Sequence, residues 1–255
     1  MKNQTKINHF NPLKILVAVT ALLVFHISLA AAKPKVLVFS KTAGFHHNSI
    51  AAGNVAIQKL GAENNFDVDT TTDAEKFNSK NLKKYQAVIF LSTTGDVLND
   101  TEQAAFEKYI KAGGGFMGIH AAADCEYDWQ WYGNLVGAYF GNHPAQQEAT
   151  LKIVDRNNIS TKHLPDPWIR KDEWYSFKWV ADGLHELITI DENSYELGKI
   201  APMGHHPMAW YHDYDGGRAF YTELGHTDES FADPLYLQHI LGGISYAMGR
   251  KQKEK

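Results

Sequence analysis

The segment GGGFMGIHAAAD, residues 113–124, runs from three glycines through a short apolar stretch to His120 and then into small residues. A strand that ends in a tight turn of small residues lifts one side chain clear of a sheet, and in many α/β enzymes that side chain is the nucleophile. A histidine there offers instead a ring nitrogen suited to binding a ligand or carrying a proton. Other imidazoles and carboxylates occupy comparable places. His46 and His47 follow an apolar run that begins at Lys35, Asp96 follows a second at 87–93, and His226 follows GRAFYTELG. His143 lies in FGNHP, Glu173 in DEWYSF, and His205 and His206 in GHHPMAW.

Imidazoles and a carboxylate converging without thiolates suit zinc or another divalent transition metal better than calcium or magnesium, which take oxygen shells. A catalytic site of that kind needs about three protein ligands and one open position. The histidines are dispersed in sequence, so a metal-free His/Glu acid–base pair acting on a carbohydrate stays open beside the metal reading. A single histidine near a strand end is commonly a cap or a surface residue; the weight rests on several strand ends delivering such groups to one side. His185 and His212 sit among charged residues and His239 in the closing helical segment, and they are set aside.

The elements that must position these residues follow an α/β rhythm. KVLVFS, AVIFLST and FMGIH (116–120) are apolar throughout, as strands of a parallel sheet covered on both faces are. Between them SIAAGNVAIQKLGAENN reads as a helix capped by Asn48 or Ser49. DTEQAAFEKYIKA reads as a second helix, capped by Asn99 or Asp100 and ended by Gly113. In such a sheet ligands bind beyond the carboxyl ends of the strands. The second half is less regular. WQWYGNLVGAYFG reads as a helix, ATLKIVD and ELITI as strands, and residues 158–179 as a long loop with an embedded strand. PMAWYHDYDGGRAFYTELG reads as a hairpin around Asp215-Gly216-Gly217, and PLYLQHILGGISYAMG as a closing helix.

The chain has 255 residues, 44% hydrophobic and 21% charged, enough for one domain with a sizeable core. Lys2, Lys6 and Lys14 precede ILVAVTALLVFHISLA and three alanines, with no acidic residue before Glu63. This is the pattern of a signal peptide over 1–32, and the short apolar run broken by His26 weighs against a retained anchor. Cleavage removes three lysines and takes the net charge from −4 to −7, which argues against a nucleic-acid partner. The single Cys125 permits no internal disulfide. The expected organisation is a signal peptide over 1–32, one domain over 33–250 and a charged tail over 251–255.

KVLVFSKTAGFHHNSI, GGGFMGIHAAAD, FGNHP, DEWYSF and HHPMAWYHDYDGGRAFYTELGHTDESF, in that order, resemble the trehalose-utilisation (ThuA-like) family over residues 35–249. The resemblance implies a flavodoxin-like or class I glutamine amidotransferase-like three-layer α/β sandwich with a mainly parallel sheet. In the amidotransferases a G-x-C-x-G elbow carries a cysteine nucleophile, and a later strand delivers a histidine followed closely by a glutamate. Here the elbow is Gly118-Ile119-His120-Ala121-Ala122, and His226 and Glu229 fall where the later pair would lie. With no thiolate at position 120, and Cys125 five residues away, glutamine hydrolysis through a thioester is excluded.

The family implies an enzyme of carbohydrate catabolism, a hydrolase, lyase or isomerase acting on a disaccharide, glucoside or keto-sugar, and the expected signal peptide places it in the periplasm. A non-catalytic sugar-binding or accessory module is the alternative. The expected catalytic residues are His120, His226 and Glu173. His47, Asp96, His143, Trp174 and Trp210 are expected to hold substrate, the tryptophans by stacking on a sugar ring. His46 and His206 are expected metal ligands, sharing the ion with His120 and His226. As a ligand projecting into a pocket, His120 is expected to add little stability.

Overall fold

The computed structural model describes Lys2 and residues 32–250. The expected signal segment and charged tail lie outside the described residues, apart from Lys2 and Ala32. Among the described residues no helix is long and apolar enough to cross a membrane.

Among the described residues eleven strands form. In chain order they are β1 (Lys35–Phe39), β2 (Asp67–Thr71), β3 (Ala87–Leu91), β4 (Gly115–Ile119), β5 (Ala138–Asn142), β6 (Gln147–Ile153), β7 (Trp168–Asp172), β8 (Ser176–Val180), β9 (His185–Ile190), β10 (Pro207–Tyr214) and β11 (Gly217–Thr222). The helices are α1 (Ile50–Glu63), α2 (Ser79–Leu82), α3 (Asp100–Lys111), α4 (Gln130–Val136) and α5 (Pro234–Ala247). Nine strands make one sheet in the order β2-β1-β3-β4-β11-β10-β9-β6-β7. Pairing is parallel from β2 to β11 and antiparallel beyond it.

The apolar strands are buried on both faces because helices cover both, and alternate side chains sort into two cores. Val36, Val38, Ile89, Met117 and Ile119 meet Ile57 and Leu60 of α1 and Ile240 and Ile244 of α5. Leu37, Phe39, Val88, Phe90 and Phe116 meet Leu82 of α2, Phe106 and Ile110 of α3, and Tyr132 and Leu135 of α4. The result is the three-layer sandwich expected from the sequence. Helix α3 starts where its cap requires. Asn99 accepts from the backbone N–H groups of Thr101 and Glu102, and Glu102 accepts in return from Asn99 N–H. Ser49 holds the corresponding place before α1, but its hydroxyl donates to the Gly225 carbonyl at 3.1 Å instead of capping. That bond ties the loop after β1 to the loop after β11.

Two segments depart from the sequence reading. The helix expected over WQWYGNLVGAYFG stops at Val136, because Gly137 turns left-handed at φ +92° and a Cβ there would meet the Trp210 indole nitrogen at 2.6 Å. Ala138–Asn142 then pairs antiparallel with β8 as a separate two-stranded ribbon. The expected loop at 158–179 contains two strands, β7 and β8, and Glu173 stands in the three-residue link between them.

Candidate active site

His120 is the first residue after β4 and adopts φ +52°, an uncommon conformation for a residue with a Cβ that costs about 1–3 kcal/mol unless its surroundings enforce it. The surroundings do. The Tyr221 hydroxyl donates to the His120 carbonyl at 2.8 Å, and His120 Nδ1 lies 2.7 Å from the Glu223 backbone carbonyl. A carbonyl only accepts, so Nδ1 carries a proton, which leaves Nε2 as the nitrogen that can offer a lone pair to a ligand. His120 is fully buried, so it is not the lightly packed ligand expected from sequence. Removing it strands the Glu223 carbonyl at a cost of about 1–3 kcal/mol.

Three groups crowd that lone pair. His226 Nδ1 and the Tyr175 hydroxyl each lie 3.1 Å from His120 Nε2, and Glu173 Oε2 lies 3.5 Å away. Glu173 Oε2 is also 3.1 Å from His226 Nδ1. A ring nitrogen of His47 joins them: one ligand atom each from His47, His120, Glu173 and His226 fall within 4.8 Å of one another. The three imidazole rings sit at nearly equal spacing, with centroids 4.8 Å (47–120), 5.1 Å (47–226) and 5.1 Å (120–226) apart. Four donors about 2.1 Å from one tetrahedral ion stand roughly 3.4 Å from each other, which the two imidazole nitrogens and the carboxylate oxygen already approach. His47 Nδ1 is buried with no hydrogen-bond partner among the described residues. The donor set suits a zinc-type cation.

Electrostatics keep the set in ligand form. Burial, followed by the neighbouring His120 and His226, pushes His47 down to about 3, so its ring is neutral at ordinary pH. Burial pushes the Glu173 carboxyl up, but the adjacent rings of His120 and His226 outweigh this and hold it well below the usual carboxylate range.

Asp172 aligns two of the four. It is fully buried, and its Oδ1 accepts from the backbone N–H groups of Glu173 (3.1 Å) and His226 (3.0 Å). Its Oδ2 accepts from Gly225 N–H (3.1 Å), the Ser230 hydroxyl (3.1 Å) and Arg170 Nη2 (3.0 Å). Gly225 is required in that turn: φ is +119°, and a Cβ would meet the Tyr236 hydroxyl at 2.4 Å. Asp172 gives no sign of this in the sequence, because three of its five partners, Gly225, His226 and Ser230, lie more than fifty residues away.

His47, Glu173 and His226 line a cleft of about 440 Å³ together with Phe45, Asp124, Phe140, His143, Gln146 and Tyr175, and His120 lies buried behind them. His143 reaches Glu173 Oε1 at 3.2 Å. His47, which the sequence reading placed with substrate, stands in the cluster. His46 does not; it is exposed and bonds Thr42 Oγ1. His206 is not in the cluster either. It is buried behind Tyr175, its Nε2 2.7 Å from the Tyr175 carbonyl and its Nδ1 3.0 Å from Glu192. Asp96 is exposed beside a different depression with Asp73 and Glu102. Trp174 and Trp210 are fully buried core residues whose indole N–H groups donate to the Gln147 and Val136 carbonyls, so neither can stack on a sugar. Glu229 is exposed, and the carboxylate beside His226 is Glu173. Cys125 is fully buried and its thiol is pushed well up by burial.

The fold recurs in solved structures. A protein from Bacteroides uniformis ATCC 8492 described as ThuA-like superposes with a TM-score of 0.74 at 23% identity, covering 88% of this chain and 96% of its own. One from Parabacteroides merdae ATCC 43184, described likewise, gives 0.69 at 22%, covering 88% and 93%. A β-galactosidase from Rahnella sp. R3 gives 0.55 at 14% identity, with 87% of this chain matching 32% of that one. At these identities the likeness shows the fold alone. No curated protein matches the chain. The ThuA family model, described as trehalose utilisation, matches residues 35–247, and the chain belongs to that family.

Proposed function

We propose that this chain is an exported, periplasmic enzyme of carbohydrate catabolism that uses a divalent transition metal, zinc by its donor set, to convert a disaccharide, glucoside or keto-sugar by hydrolysis, elimination or isomerisation. One observation carries the reading. The lone pair of His120 Nε2 faces a second imidazole nitrogen, a phenol and a carboxylate within 3.5 Å. A single lone pair accepts a single proton, and an ionised carboxylate is repelled by it; a shared cation satisfies both. His47, His120, Glu173 and His226 would hold the ion. Bound there, it would polarise a substrate oxygen or lower the pKa of a water.

The chain's own residues supply the rest. Glu173 Oε1, 3.2 Å from His143 Nδ1 at the cleft wall, is placed to accept a hydrogen bond from a group in the cleft. Phe45 and Phe140 give the wall apolar faces for a sugar ring. Export is supported by the basic head and apolar run over 1–32, and the sugar substrate by the family's link to trehalose utilisation.

The test is metal analysis of protein purified without affinity histidines, followed by zinc titration and turnover assays on disaccharides, glucosides and keto-sugars. One equivalent of metal and metal-dependent turnover are expected. E173Q should weaken zinc by more than about 100-fold, beyond the 10–100-fold typical of partners outside the ligand set. Sugar binding with neither metal nor turnover would make the chain an accessory module.

A further inference from the structure

Tyr175 is held on every side except at its hydroxyl. Its N–H donates to Glu223 Oε1 at 3.0 Å, its carbonyl lies 2.7 Å from His206 Nε2, and its ring packs between His120 and Phe140 at centroid distances of 4.5 and 4.3 Å. Tyr175 lines the cleft, and its hydroxyl lies 3.1 Å from His120 Nε2. Since His120 Nδ1 holds the ring proton against the Glu223 carbonyl, Nε2 accepts and Tyr175 donates. A cation and this O–H compete for one lone pair.

We infer that Tyr175 is a further catalytic residue: when the lone pair of His120 is given to a metal ion, the Tyr175 hydroxyl is released to donate a hydrogen bond to a substrate oxygen seated beside that ion. This rests on the metal reading above. The hydroxyl is a fixed donor on a side chain locked at backbone and ring, so little reorganisation accompanies its transfer from nitrogen to substrate, which is the arrangement that best stabilises charge developing on oxygen. The substrate class it favours is one whose reacting oxygen gains negative charge, such as the carbonyl of a keto-sugar or the alkoxide left when a glycosidic bond breaks. His206, behind the Tyr175 carbonyl, is a positioning residue for it.

The experiment uses the full-length protein and Y175F, which keeps the packed ring and loses only the hydroxyl. Zn²⁺ is titrated into both by calorimetry. Acetohydroxamate, an oxygen-donor probe for bound zinc, is then titrated into both loaded forms. Removing the competitor should leave Y175F binding zinc roughly 2- to 10-fold more tightly, the range a single net hydrogen bond allows, while acetohydroxamate binds it weaker by a similar factor. Zinc binding to Y175F weakened tenfold or more would make Tyr175 a ligand and overturn the inference. So would equal acetohydroxamate affinity in the two loaded proteins. A wild-type protein that binds no zinc overturns the metal reading itself and this inference with it, a result distinct from the other two.

Discussion

The two halves of the sheet differ in what they bring to the cleft. The parallel half, β2 to β11, ends three of its strands at imidazoles: His47 follows β1, His120 follows β4 and His226 follows β11. The antiparallel half and its ribbon bring the carboxylate, Glu173, and the groups around it, Tyr175 and His143. The first half obeys a topological rule, since a parallel sheet carries its functional residues at the carboxyl edge. The second obeys none. Its contribution depends on a three-residue link between β7 and β8 being held in one shape, and Asp172 holds it. A site built at such a seam draws rigidity from the regular half and alignment from buried polar bonds in the irregular one.

The sharpest way to break this comparison uses two buried carboxylates, one in each half, that both collect backbone N–H groups. Asp172 serves the seam. Glu126, after β4, accepts from Val97 and Leu98 N–H at 2.8 Å each and from Gln103 Nε2 at 2.7 Å, with no contact to the cluster. D172N should cost about 3 kcal/mol, the low end for a broken buried pair, because it takes from buried Arg170 the nearer of two carboxylates and leaves Asp233 at 3.4 Å, and should weaken zinc roughly 10- to 100-fold. E126Q should lower stability by about 1–3 kcal/mol and leave zinc affinity unchanged. Urea denaturation and zinc calorimetry on both variants check this; equal zinc affinities in D172N and wild type would remove Asp172 from the site.

The same contrast explains what could be read in the sequence. Apolar runs, an Asn-x-x-Glu capping box before α3 and a histidine at the elbow announced the parallel half, and His120 and His226 meet at 3.1 Å. Which of His46 and His47 joins the cluster was not legible, because adjacent residues in a loop have no fixed face until hydrogen bonds fix it; here Thr94 binds the backbone of Ala43, Gly44 and Phe45 and His47 turns inward. Trp174 and Trp210 were misplaced for a related reason. An indole beside a charged motif looks like a sugar platform, but each of these finds a carbonyl for its N–H inside the core. Glu173 was legible by type, while Tyr175 two residues on was not, since its role comes entirely from what stands opposite.

A smaller effect tests how the halves are stitched. Glu223, just past β11, bonds Tyr175 N–H through its side chain and His120 through its carbonyl. Burial, then Asp172, pushes its carboxyl well above 4.5, so the folded protein keeps a proton that the unfolded chain releases near that pH. The associated stability is complete below that pH and is lost as pH rises towards the folded value, by up to about 1.4 kcal/mol per pH unit. E223Q, neutral at every pH and similar in shape, should flatten this slope. Relative to wild type it should be more stable at pH 8 than at pH 4. Parallel stability curves from urea denaturation between those limits would show that Glu223 is ionised in the fold.

The smallest stability effect belongs to Phe45, and it separates a wall of the cleft from the core that was mistaken for one. Phe45 is 64% exposed at the cleft rim, in the loop after β1, its ring edge-on to His47 at 4.8 Å. An exposed phenyl contributes little to folding, so F45A should change stability by no more than about 0.5 kcal/mol. Trp210 is fully buried in β10 of the other half, and W210A should cost about 3–5 kcal/mol. Sugar binding should respond the other way. Covering the Phe45 ring with the apolar face of a pyranose removes it from water, and a Phe side chain so buried gains about 1.5–3 kcal/mol, so F45A should bind the sugar substrate at least roughly tenfold more weakly. Zinc affinity should stay at the wild-type value, since the phenyl ring is no ligand. Folded W210A, held below its unfolding transition, should bind sugar as wild type does. If F45A binds sugar normally while W210A does not, the platform lies inside the antiparallel half, and the division of labour drawn between the two halves is wrong.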